Sequence, residues 1–323
     1  MLSALINPRH SHPAVPLARQ LVHQRSVQPG PLVLGSAPFK FPAPAMDRDR
    51  TVSRRSEPSS RTALMGEQPN PWDLLQPQEN VAENLGIGLV RRGKKVLLID
   101  SDPQGSLTIS LGNPNQDELE TTFATVISKI VNKQPLMEKE GILTHCEGVD
   151  LLPGNIDTTA LEQELMNATG GELMVKKYIN SVKDKYDYVI FDCMPSLGKV
   201  VINILTCADS VIIPVQAAYL PVKGLIQLFN TIDITQELLN PNLKIEGILM
   251  SMVDSRTVYA KEVSELLQST YGDMVKIFES VIPFSVRAAE ISAEGVSIFK
   301  HDPNGKVAIA FEKLVEEVIS NEK

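Results

Sequence analysis

Four consecutive apolar residues, Val96, Leu97, Leu98 and Ile99, run directly into Asp100 and, one residue further, Asp102. Lys94-Lys95 precede the run and Pro103-Gln104-Gly105 follow it. An uninterrupted apolar run of this length, closed by turn residues, reads as a strand buried on both faces, the kind found in parallel sheets covered by helices. Both carboxylates then sit just past the strand's carboxyl end, on the rim where open parallel sheets bind ligands. Pro103 and Gly105 turn the chain away at once. Two acids at this spacing suit a hydrated Mg²⁺ or a water that must be oriented. Equally, one caps the following helix and the other is solvated.

From residue 80 onward the pattern repeats. Helical periodicity covers 82–92, part of 118–131, 158–167, 171–183, 200–206, 222–239, 259–269, 286–293 and 306–320. Apolar strand runs cover 95–100, 149–152, 188–192, 210–214, 245–253 and 276–282. This alternation predicts an α/β fold: a doubly wound, mostly parallel sheet flanked by helices, with right-handed crossovers. Two further strands end in residues of chemical interest. Tyr188-Val189-Ile190-Phe191 closes on Asp192, and Ile282 is followed by Pro283-Phe284-Ser285. An Asp ending a buried strand commonly holds the hydration shell of Mg²⁺ in nucleotide-binding sheets, although such residues also cap helices. Two such strands in one sheet favour the functional reading.

The first residues are different. Twelve of the 22 prolines fall within 1–80, among Ser, Arg and Gln and without sustained periodicity. That composition buries too little apolar surface to offset chain entropy. The expected organisation is a disordered Pro/Arg/Ser-rich extension over 1–79 and an α/β domain over 80–323. The acid-poor start has the flavour of a transit peptide, against which its prolines count. Within the extension, 31–35 (PLVLG) is the candidate for a short strand.

Charge is divided in the same way. Residues 1–80 hold nine Lys or Arg and six Asp or Glu, whereas the remainder carries a balance of −11. An acidic body argues against DNA binding by bulk charge and leaves only a local basic patch, assembled by dimerisation. Aromatic content of 5% disfavours a base-stacking platform. Cys146, Cys193 and Cys207 show no metal-ligand spacing and fit a reducing compartment. No apolar run approaches the length of a membrane span.

Five segments, in order, carry a resemblance: LLIDSDPQGSLT, YDYVIFDCMPSLG, DSVIIPVQAAYLP, GILMSMVDSRT and IPFSVRAAEISAEG. From about residue 83 to the end, the chain resembles ParA, the family of DNA-partition ATPases with a deviant Walker A motif, in the P-loop NTPase class. The resemblance implies ATP and Mg²⁺ as cofactors. It places Asp102 on the residue that orients the attacking water, Asp192 on the acid that holds Mg²⁺ through water, and Asp100 beside them in the first switch as a further metal-site residue. Residues 194–198 correspond to the second switch, with Met194-Pro195 where the family usually has two prolines. Pro283 and Ser285 fall where the family meets adenine. Arg256 and Arg287 match arginines used for non-specific DNA binding; read alone, both are ordinary solvated surface arginines. The implied partners are non-specific DNA, a ParB-like adaptor protein and a second copy of the chain in a homodimer. The implied location is cytoplasmic and nucleoid-associated.

One departure qualifies the resemblance. The family opens with a strand and a loop of the form KGGxGKT, whose backbone N–H groups, lysine and hydroxyl hold phosphates and Mg²⁺. In gapless alignment the phosphate lysine falls on Gln78 and the Mg²⁺ threonine on Glu79. The glycines fall on Leu74, Leu75 and Pro77, and the signature lysine on Asp73. ATP affinity is therefore expected to be reduced. The family's first strand lies inside the sheet, so either 31–35 or a partner chain is expected to fill its slot, or the fold is impaired. Two other functions compete: a non-catalytic interaction module of ParA descent, and a phosphatase built on Asp100 and Asp102. The phosphatase lacks the Thr or Val needed at Gln104.

Overall fold

The computed structural model describes residues 2–8, 81–216, 222–254, 256–285 and 294–321. Its strands are β1 (Leu2–Ile6), β2 (Val96–Asp100), β3 (Leu143–Thr144), β4 (Asp150–Leu152), β5 (Tyr188–Cys193), β6 (Ser210–Gln216), β7 (Lys244–Val253) and β8 (Ile277–Pro283). They form one sheet in the order β3-β4-β2-β5-β1-β6-β7-β8. β4, β2 and β5 pair in parallel, as do β6, β7 and β8. β1 runs antiparallel to both of its neighbours, and β3 antiparallel to β4. The expected doubly wound, mostly parallel α/β sheet is observed.

Helices cover both faces. On one side lie α1 (Val81–Arg91), α2 (Ser106–Ser110), the short α9 (Ile298–His301) and α10 (Lys306–Ser320), packed over Leu98, Tyr188, Ile190 and Ile212. On the other lie α3 (Phe123–Val131), α4 (Thr158–Asn167), α5 (Met174–Val182), α6 (Lys199–Cys207), α7 (Val222–Leu238) and α8 (Val258–Tyr271), over Leu97, Ile99, Val189 and Phe191. Because successive strand residues face opposite ways, an apolar run such as Val96–Ile99 feeds both cores at once. α1 is buried along Val81–Leu89 because it lies between the sheet and α10. A Cβ on Gly86 would stand 2.6 Å from Leu98 Cδ2, and one on Gly88 would stand 2.5 Å from Val315 Cγ2, so only glycine permits this double approach. Among the described residues no helix is long and apolar enough to cross a membrane.

The central slot is filled from an unexpected place. β1 lies between β5 and β6, with Leu2 opposite Cys193, Ser3 opposite Asp192 and Ile212, and Leu5 opposite Ile190 and Ser210. All five of its residues are buried. This corrects the reading of the extension as disordered from its first residue, and the expectation that 31–35 or a partner chain fills the slot. Residues 31–35 lie outside the described residues, as does the helix expected over 286–293. The physical reason is backbone pairing. A gap between β5 and β6 would strand their inward-facing N–H and C=O groups, at about 1–3 kcal/mol for each left unpaired.

The strand's exit is pinned as well. Asp209 N–H donates to Leu5 O at 2.9 Å, and Asn7 N–H donates to Asp209 Oδ2 at 2.7 Å, at the amino end of β6. Leu5 is 4% exposed, so Leu5→Ala is expected to destabilise the protein by about 2–5 kcal/mol in urea denaturation. An unchanged midpoint would mean that this strand does not hold the slot.

Candidate functional site

The sheet register brings the strand-end carboxylates together. Asp100 on β2 pairs directly with Asp192 on β5, and Asp192 pairs with Ser3 on β1. Three polar residues therefore stand abreast on adjacent strands at the carboxyl rim. All are buried: Asp100 at 0%, Asp192 and Ser3 at 1% exposure.

Asp100 is held by its own chain. Its Oδ2 accepts the Thr108 hydroxyl at 2.7 Å and the Thr108 N–H at 2.8 Å, while Oδ1 accepts the Asp102 N–H at 3.1 Å. Thr108 is the third residue of α2, so Asp100 does cap the following helix, as half of the alternative reading had it; the other half fails, because Asp102 is buried and not solvated. The Thr108 hydroxyl also accepts the Gly154 N–H at 2.9 Å. A Cβ on Gly154 would lie 2.5 Å from Asp100 O, so the turn after β4 needs glycine to approach β2. Burial pushes the Asp100 carboxyl up to about 6, against the opposing pull of the Thr108 and Asp102 hydrogen bonds.

Asp102 folds over the next turn, its Oδ1 accepting the Gln104 N–H at 2.9 Å, and burial raises its pKa. The Asp192 carbonyl accepts both the N–H and the hydroxyl of Ser101, at 3.0 and 2.6 Å, which ties the rims of β2 and β5 together. Above them, near the start of α1, Glu83 is 2% exposed. Burial pushes its carboxyl up to about 8, partly offset by Ser110 and reinforced by the like charges of Glu147 and Asp192.

Beyond Asp192, residues 194–198 are half-buried and lead into α6. Glu162 of α4 holds that helix start: its two oxygens accept the Lys199 N–H at 2.6 Å and the Val200 N–H at 3.1 Å. A carboxylate there satisfies orphan donors and complements the helix dipole.

The remaining predicted residues are dispersed. Pro283 and Ser285 lie at the carboxyl end of β8, on the same rim but four strands along from β5, with Phe284 N–H donating to Val253 O at 3.1 Å. Arg256 is on a turn after β7, its side chain 85% exposed and closed onto Asp254 through bonds of 2.8 and 2.7 Å. This guanidinium holds the Asp254 carboxyl down at about 2. Arg287 lies outside the described residues, as do Asp73, Gln78 and Glu79.

A family model described as an AAA domain matches residues 79–245. The sporulation initiation inhibitor protein Soj of Bacillus subtilis is 37% identical over 238 residues, spanning 74% of this chain and 91% of Soj. The chromosome partitioning protein ParA of Caulobacter vibrioides is 32% identical, spanning 75% and 89%. The chain belongs to the ParA family. In fold it is also similar to cobyrinic acid a,c-diamide synthase from Mycobacterium smegmatis, solved with bound ATP analog and magnesium. That likeness has a TM-score of 0.65 and 30% identity, and covers 76% of this chain and 90% of that one.

A family member's Mg²⁺ fits part of this rim. Among the described residues no group of three or more His, Cys, Asp or Glu side chains is arranged to hold a metal ion. A hydrated Mg²⁺ asks for less, since it keeps several waters and binds through one or two carboxylates. One buried hydroxyl beside Asp192, that of Ser3, has no hydrogen-bond partner among the described residues. The strand in the central slot runs away from this rim.

Sequence reasoning missed Ser3, Glu83, Thr108, Gly154 and Glu162. Gly154 carried a signal, closing a turn immediately after a predicted strand, and Thr108 another, in the first turn of the helix that follows Asp102. Glu83 carried another, as an acid amid the apolar positions of α1. Ser3 and Glu162 have meaning only through their partners across the fold.

Two outcomes test this geometry. Thr108→Val leaves the Asp100 carboxylate and Gly154 N–H each short of a partner and is expected to cost about 1–3 kcal/mol per group in urea denaturation at neutral pH. Glu83 has a folded pKa raised above its unfolded value. Its contribution to stability is therefore fully present below about 4.5 and lost as pH rises through about 8. Glu83→Gln is expected to flatten that decline and to stabilise the protein at pH 9 by on the order of a few kcal/mol. Parallel pH–stability curves for the two proteins would overturn the assignment.

Proposed function

We propose that this chain is a ParA-type partition protein: a Mg²⁺- and ATP-dependent DNA-binding dimer of the cytoplasm, nucleoid-associated, acting in plasmid or chromosome segregation with a ParB-like adaptor. The carrying observation is the pairing of Asp100 with Asp192 at the rim of a ParA-family sheet, with Asp102 just beyond it. Names of relatives support the same reading, since Soj of Treponema pallidum is a chromosome-partitioning ATPase.

In this reading Asp192 holds the hydration shell of Mg²⁺ and Asp102 orients the attacking water. Asp100 becomes a positioning residue for the first switch, because its oxygens already accept three hydrogen bonds. Glu162 fixes the helix that follows the second switch. Pro283 and Ser285 receive adenine at the far end of the rim. When bound, Mg²⁺ supplies charge neutralisation on the β- and γ-phosphate oxygens. Arg256 and Arg287 contribute to DNA binding, Arg256 by exchanging Asp254 for a phosphate.

ATP affinity is weakened in this reading. The positions that align with the family's phosphate lysine and threonine hold Gln78 and Glu79, and β1 leads away from the rim. The same reversal favours the second reading, a non-catalytic ParA-derived interaction module.

A fluorescent ATP analogue titrated into the full-length protein, with and without Mg²⁺, separates the two. The partition ATPase predicts measurable Mg²⁺-dependent binding, weakened about tenfold or more by Asp192→Ala. No binding up to millimolar analogue in folded protein would overturn it in favour of the interaction module.

A further inference from the structure

α6 takes its N-terminal cap from another helix. Its own N-cap residue is Gly198, extended at φ −74° and ψ −177° and with no side chain to offer. Ser, Thr, Asp or Asn is the usual occupant of that position. α8 follows the rule, the Thr257 hydroxyl accepting the Ala260 N–H at 3.3 Å. For α6 the acceptor is the Glu162 carboxylate of α4, which takes the N–H groups of Lys199 and Val200. Glycine makes room for it. A Cβ on Gly198 would stand 2.8 Å from Glu162 Cδ, in the place of the carboxylate. The backbone angles themselves are open to residues with side chains, so the requirement for glycine comes from Glu162.

A cap supplied from a distance does what a local cap does not: it fixes the helix start to a second element. α6 begins directly after residues 194–198, which lead away from Asp192 and Cys193 at the rim. α4 begins directly after the turn of Gly154. The Gly154 N–H donates to the Thr108 hydroxyl at 2.9 Å, and that hydroxyl donates to Asp100 Oδ2 at 2.7 Å. Hydrogen bonding continues from this turn into the helix. Asn155 O accepts the Thr158 N–H and Asp157 O the Leu161 N–H, both at 3.1 Å, and Glu162 is the next residue. Leu161 and Leu165 share one core with Val200 and Val201 of α6.

Packed side chains, hydrogen bonds and rigid helices are what carry coupling between separated segments. We propose that Glu162 is a positioning residue that couples residues 194–198 to the turn holding Asp100 and Asp102. α4 is the connecting bar, fixed at one end by the Thr108–Gly154 bond and at the other by the Glu162 carboxylate. The proposal rests on the partition-ATPase reading only for naming the two segments as switches; it requires neither nucleotide nor DNA.

The test is amide hydrogen exchange, read by mass spectrometry on the full-length protein without nucleotide. Peptides covering 194–201 are compared with peptides from α10, which report global opening. Thr108→Val is expected to speed exchange in 194–201 by about tenfold or more beyond any change in α10. Thr108→Ser keeps the hydroxyl and is expected to exchange as the parent does. Glu162→Ala combined with Gly198→Ser replaces the distant cap by a local one. That protein should keep a thermal midpoint near the parent's and lose the response of 194–201 to Thr108→Val. Gly198→Ala, which displaces the carboxylate and leaves Glu162 in the chain, should abolish the response as well.

No response to Thr108→Val in the parent background would overturn the proposal. So would a response that survives either cap variant, because the rims of β2 and β5 also meet directly where Ser101 donates to Asp192 O. The analogue titration decides separately whether nucleotide binds.

Discussion

The structure depends on backbone pairing in the slot between β5 and β6. A parallel sheet with a missing inner strand is two half-sheets, each with an unpaired edge facing the other across a dry interior. Hydrophobic burial cannot repair that, because the loss lies in hydrogen bonds and not in apolar area. Any five-residue segment that is apolar enough and can reach the slot therefore has a strong thermodynamic claim on it. Leu2–Ile6 meets the requirement with every residue buried and ladders to both neighbours.

Satisfying the slot does not require the direction of the family's first strand. Hydrogen bonding accepts either strand direction; a phosphate loop does not. That loop is a property of the connection: a strand arriving at the carboxyl rim, a tight turn, and a helix whose N-terminal N–H groups point at the phosphates. β1 ends at the opposite rim, where Asn7 meets Asp209, while α1 begins at the rim that carries Asp192. Strand and helix are both present and both well packed, and 74 residues of sequence, 7–80, connect them.

The legibility of the sequence followed the same division. Whatever was encoded locally was readable: Val96–Ile99 and Tyr188–Phe191 announced buried strands, and Asp100 and Asp192 were placed on one rim before any register was known. The ends of α4 and α10 also emerged where the periodicity put them. What escaped depends on long-range pairing. LSALI is only five residues long with one β-branched residue, and it sits in a proline-rich context that hides it. Its place is decided by the unpaired edges of β5 and β6, about 190 residues away. Asp100 illustrates the limit at the site. The sequence offered cap and metal residue as alternatives, and only the positions of Thr108 and the Asp102 N–H showed that its oxygens are already engaged.

The electrostatics of the rim indicate how such a site persists. Glu83, Asp100, Asp102 and Asp192 are all buried, and uncompensated burial of that many carboxylates would be prohibitive. Three compensations operate. Backbone and hydroxyl donors stabilise ionised Asp100, the N–H of Gln104 does so for Asp102, and protonation relieves Glu83, whose carboxyl is neutral over much of the physiological range. Asp192 stands beside Asp100 in the sheet, and the Ser3 hydroxyl opposite it has no hydrogen-bond partner among the described residues. A strand chosen only to complete the hydrogen-bond ladder would gain from an apolar residue at that place, as it has at Ala4 and Leu5.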